Sequence, residues 1–103
     1  MANSRLLGVM LIGAALLCAC AGAPVQEMSD ARQAIRAATQ AGAAADDSGL
    51  ALAVELLESA EDHLRTGRYK SARADAISAH GHAVEALRTT EADSDQSQNP
   101  PPE

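Results

Sequence analysis

Residues 50–87 read LALAVELLESAEDHLRTGRYKSARADAISAHGHAVEAL, and the periodicity of this stretch decides the fold class. Leu50, Ala53, Leu57, Ala60 and Leu64 recur at alternating steps of three and four, with Val54 and Leu56 widening the stripe. That spacing puts them on one face of a helix and leaves Glu55, Glu58, Glu61 and Asp62 to the other faces. It predicts a helix over 49–66, with Asp46, Asp47 and Ser48 as N-cap types before it. Gly67 then breaks the pattern, because it accepts the left-handed conformation that ends helices. Beyond it Tyr69, Ala72, Ala76, Ala79, Ala83 and Ala86 form a second stripe, flanked by Ile77, Val84 and Leu87. This predicts a helix over 68–89. A short turn makes the two helices antiparallel neighbours, and the alanine seam lets their backbones approach closely. Tyr69 is expected to cover one end of that seam.

Upstream, Met28, Ala31, Ile35 and Ala38 form one more stripe, with Glu27 and Asp30 in the first turn where the helix dipole favours negative charge. It predicts a helix over 27–41, stopped by Gly42 and followed by a connector over 42–49. The expected domain is therefore all-α, a small three-helix bundle over 27–90 containing an antiparallel helical hairpin. Glu61 and Arg65 are spaced for a local ion pair worth only about 0.2–0.5 kcal/mol. Residues 91–103, EADSDQSQNPPPE, have no aliphatic side chain larger than alanine and end in prolines before a last glutamate. They bury too little to offset ordering entropy, which predicts a disordered acidic tail.

The chain starts differently. Residues 5–20 read RLLGVMLIGAALLCAC: a positive charge, an apolar run, then small residues around two cysteines. That order predicts a helical signal peptide over 1–19. Leu17, Cys18 and Ala19 before Cys20 resemble a bacterial lipobox, in which the cysteine is acylated and becomes the new N-terminus. Cys20 is the better candidate, since Leu17 is too bulky to precede the cut at Cys18. The resemblance implies cleavage between Ala19 and Cys20, a short tether over 20–26, and membrane lipid as a partner through acylated Cys20. Acyl chains contribute about 0.8 kcal/mol per buried methylene, so one chain holds marginally and two or more hold stably. Ala21 after the cysteine, rather than aspartate, points by the same resemblance to the outer membrane, on its periplasmic face. Two alternatives stand: an ordinary A-x-A cut at Ala21-Gly22-Ala23, giving a soluble periplasmic protein, and an uncleaved anchor over 6–23.

The run Leu56-Leu57-x-x-Ala60-Glu61-x-x-Leu64-x-x-Gly67-x-Tyr69-x-x-Ala72 resembles the signature of a bacterial family of short helical envelope proteins of unknown function. Many members of that family are lipoproteins. Some carry the domain ahead of a peptidoglycan-binding module of the outer-membrane-protein-A type, which residues 91–103 do not resemble, so that module's cell-wall binding is not expected of these residues. The Gly67-x-Tyr69-x-x-Ala72 step is also similar to the turn inside a tetratricopeptide repeat. It occurs once, whereas a solenoid needs three or more stacked units.

Composition narrows the function classes. The 103 residues carry a formal charge of -6, and removing Arg5 with the leader leaves the remainder more acidic. Nucleic acid is not an expected partner, because phosphate binding needs a basic face. Both cysteines fall in the leader, so neither a disulfide framework nor a cysteine nucleophile is expected downstream. His80 and His82 are two apart on a helix and point in different directions, and His63 would reach the third helix only by accident of packing. No serine lies in a glycine elbow. The adjacent carboxylates Asp46–Asp47 and Glu61–Asp62 diverge rather than converge. No catalytic residue, metal ligand or cofactor is expected, and the chain reads as a non-enzyme. Alanine seams bury little area, so the domain is marginal alone, and a protein partner or self-association is expected to supply the missing burial.

Overall fold

A computed structural model of the chain describes residues 22–99 together with Pro101 and Pro102. Three helices follow one another, α1 (Val25–Gln40), α2 (Ser48–Arg65) and α3 (Tyr69–Gln98), and no strand occurs among the described residues. The signal peptide expected over 1–19, with Leu17, Cys18 and Ala19, lies outside the described residues, as does the expected acylation site Cys20.

Both interhelix turns are built on the glycines. At the end of α1, Gly42 adopts φ 101°, its N–H donates to the Thr39 carbonyl, and the Ala43 N–H reaches back to Ala38 at 3.0 Å. The end of α2 repeats this: Gly67 has φ 76°, donates to Leu64, and Arg68 donates to His63 at 2.8 Å. These are paired six-to-one and five-to-two hydrogen bonds that satisfy otherwise orphaned carbonyls. The start of α2 is capped by Asp47, whose carboxylate accepts the Leu50 N–H at 3.0 Å.

The helices run up, down and up in three levels, each with one buried side chain from every helix, alanine in all but Met28 and Leu50. Met28, Ala60 and Ala76 form the first, flanked by Leu57 and Leu64. Ala34, Ala53 and Ala83 form the second, flanked by Ile35 and Val84. Ala38, Leu50 and Ala86 form the third, flanked by Ile35, Ala43 and Leu87. α3 is the central element, packing extensively on both α2 and α1, while α1 and α2 touch each other less. Its expected stripe is buried from Ala72 onward: Ala72, Ala76, Ala79 and Ala83 are fully inaccessible and Ala86 nearly so. Met28 is the one large core side chain of α1; Ala34, rather than Ile35, completes that helix's buried set.

Three expectations change. First, α1 begins at Val25, so the tether expected over 20–26 is already structured at its end. Pro24, which has no N–H to lose, occupies the N-cap position, is buried, and accepts the Met28 N–H at 3.1 Å. Second, α3 does not stop at Thr89 but continues to Gln98 through most of the stretch expected to be disordered. Extending an existing helix avoids the nucleation cost that an isolated peptide must meet, and no glycine or proline interrupts the chain between Thr89 and Pro100. The side chains from Glu91 to Asn99 are exposed, so tertiary burial is not what orders them. Third, Glu61 reaches across to Arg32 of α1 at 3.1 Å rather than along its own helix to Arg65, which pairs with Asp62.

Candidate functional site

The motif residues Gly67, Tyr69 and Ala72 have separate jobs at one end of the bundle. Gly67 makes the turn; Ala72 is buried in the seam; Tyr69 opens α3 and stays 43% exposed. Tyr69 covers the bundle end only in part, and its ring lies beside Gly22, where an added Cβ would sit 3.7 Å from two ring carbons. Arg73, one turn further along α3, donates from Nη2 to the Gly22 carbonyl at 3.5 Å and from Nε to Glu27 at 3.2 Å. Thus the chain's entry into the fold and the α2–α3 turn meet at the same pole. Arg65, Arg68 and Lys70 are all exposed there, and Val25, at the start of α1, is 68% exposed.

The histidines separate into distinct surroundings. His63 meets α3 by register rather than by accident, which corrects the expectation from sequence. Its Nε2 lies 3.4 Å from Asp75 Oδ2, and the Ser59 hydroxyl donates to that same oxygen at 2.7 Å. Ser59 and His63 are four apart and share a helix face. That spacing was the available signal; only the hairpin register reveals Asp75 opposite. The arrangement is wrong for an activated nucleophile, because the serine proton is directed at the carboxylate and not at an imidazole. It is a half-buried polar clamp between α2 and α3. His80 lines a groove between α1 and α3 with Asp30, Gln33, Ala34, Ala37, Val84 and Leu87, whereas the backbone carbonyl of His82 lies near Gly49 of α2.

Among the described residues no three histidine, cysteine, aspartate or glutamate side chains converge as a metal-binding group. The surface depressions are shallow and open to solvent. One, of about 530 Å³, lies between the connector and the projecting end of α3, where Asp47 and Asp93 come to the same end of the molecule. A second is lined by Thr39, Ala43, Ala45, Leu50, Ala51 and Val54. Neither presents a set of convergent titratable side chains of the kind acid–base chemistry requires. No helix among the described residues is long and apolar enough to cross a membrane.

No family model, curated protein or solved structure matches the chain.

Proposed function

We propose that the chain is a lipid-anchored, non-enzymatic helical protein of the bacterial envelope, held on the periplasmic face of the outer membrane through acylated Cys20. In this reading it is a structural or adaptor component, of the same type as the short helical envelope family whose motif it resembles. The observation that carries the proposal is the lipobox-like Leu17-Cys18-Ala19-Cys20 placed directly ahead of a folded domain. The bundle supports it by beginning just past the cysteine, with Pro24 buried at the start of α1. The polar Ser59–His63–Asp75 clamp supports a structural rather than a catalytic role for the most triad-like group present.

A soluble periplasmic chaperone-like or regulatory binder is the second reading. It is favoured by the exposed apolar side chains on the helix surfaces, among them Ile77 at 56% and Val54 at 39%. Substituting Cys20→Ala separates the two. Anchoring predicts that fatty-acid labelling is lost and that the protein moves from the membrane fraction to the soluble one. A wild-type protein that takes no label and fractionates as soluble would refute anchoring and leave the binder reading.

A further inference from the structure

Charge is distributed along the bundle with a polarity that net composition hides. Four of the eight basic residues, Arg65, Arg68, Lys70 and Arg73, fall within nine positions around the α2–α3 turn. Asp62 pairs with Arg65 and Glu27 with Arg73, so Arg68 and Lys70 are the cations of this group with no ion pair among the described residues. The opposite end carries Asp46, Asp47, Glu91, Asp93 and Asp95, with Asp47 and Asp93 flanking one depression. At 1.5 Å per residue along α3, the two ends are separated by roughly 40 Å.

We infer that the basic end, with Arg68, Tyr69, Lys70 and Val25, is a membrane-facing surface that seats on anionic phospholipid headgroups. The inference rests on the anchoring proposed above. Cys20 precedes Gly22 by two positions, a reach of about 7 Å at most. Gly22 lies beside the Tyr69 ring and accepts from Arg73 at 3.5 Å, and Pro24 two residues on is buried. Acyl chains on Cys20 therefore deliver this pole, and no other, to within about one Debye length of the headgroup phosphates. The exposed side chains found there suit that position. Arginine and lysine meet phosphates, a tyrosine ring prefers the boundary between apolar and wet, and Val25 adds an apolar contact. The acidic pole points away, where repulsion from the surface is least. The anchor supplies residence, and the basic pole supplies orientation.

The sequence contains no tryptophan, so Tyr69→Trp and, at the far pole, Ala92→Trp each introduce a unique fluorophore. Each full-length variant, purified from membranes of a host that acylates lipoboxes, is reconstituted into phosphatidylglycerol-containing vesicles with brominated chains. Mass spectrometry of the same samples reports acylation of Cys20. The expected result is a blue-shifted, quenched indole in the Tyr69→Trp variant and an indole emitting as in water in the Ala92→Trp variant. Adding Arg68→Gln and Lys70→Gln to Tyr69→Trp should shift its seated-to-released equilibrium toward water by roughly fivefold per cation, about 25-fold together. Circular dichroism checks that the bundle is unchanged, and high salt should reproduce the release. An acylated Tyr69→Trp protein that emits like the Ala92→Trp protein overturns the inference and leaves the anchoring proposal standing. Absence of acyl chains on Cys20 overturns both.

Discussion

Met28→Ala is the sharpest probe of how α1 is held. Met28 is 2% exposed and packs on Ala60 and Ala76, with Leu57 and Leu64 alongside, while the other buried positions of α1 are alanines. Truncation removes three heavy atoms from a site whose walls are partly methyl groups fixed to backbone. Those methyls cannot swing into the void; only Leu57 and Leu64 can. Substitutions of this kind cost about 2–5 kcal/mol, and partial collapse of the two leucines places this one at about 3. A domain of this size is stable by roughly 4–11 kcal/mol at the usual 0.05–0.15 per residue, so the loss is a large share of the total. At about 4–8 °C per kcal/mol, the expected drop in Tm is on the order of 12–24 °C. In urea, with m of about 1 kcal/mol/M, the midpoint should fall by about 3 M with m unchanged. Circular dichroism at 222 nm during melts of the variant and of Val25→Ala is the assay. Val25 is 68% exposed, and its truncation should stay within about 0.5 kcal/mol. A loss below about 1 kcal/mol for Met28→Ala would refute this account, placing the hold on α1 in the alanine contacts or in Arg32–Glu61 and Arg73–Glu27.

Two glycines should respond in opposite directions. Gly67→Ala forces a Cβ into φ 76° and should cost about 1–2 kcal/mol, whereas Gly81→Ala, in mid-helix with open space around the added methyl, should stabilise by about 1 kcal/mol; denaturant midpoints report both. Stopping the chain after Thr90 should lower the helical signal by the contribution of residues 91–98 but leave Tm within about 4 °C, because the side chains removed are exposed. A cooperative loss of stability in that truncation would mean that the projecting turns are packed against something.

The parts of the fold that were legible in the sequence are those set by spacing alone. The alanine stripe of α3 could be read residue by residue, since only one face of a helix can hold Ala72, Ala76, Ala79, Ala83 and Ala86 together. Gly42 and Gly67 marked their turns because few other residues accept the positive φ found there, and Asp47 is a good cap type in the right place. What stayed hidden depends on register between helices. Asp75 is 12 residues from His63 and 16 from Ser59, and nothing local says that the hairpin brings them level. Glu61 had an intrahelical partner within reach by spacing, but Arg32 on the neighbouring helix took it. The end of α3 was misplaced for a different reason. Residues 91–98 bury too little to fold alone, yet each needs only to add one more turn-forming residue to a helix already formed. Of the proposed anchor, the sequence carries the whole signal, and the described residues add the pole from which the chain emerges.

The alanine-built core has a thermal consequence. A methyl group exposes little new apolar surface on unfolding, and that surface is what gives unfolding its positive heat capacity, about 0.45 cal/K/mol per Å². Alanine also has no side-chain rotamer freedom to lose on burial. The bundle should therefore unfold with a heat capacity change per residue below the usual value of about 12–15 cal/mol/K. Its free energy curve should be correspondingly flat, with modest stability at its maximum that declines slowly towards both cold and heat.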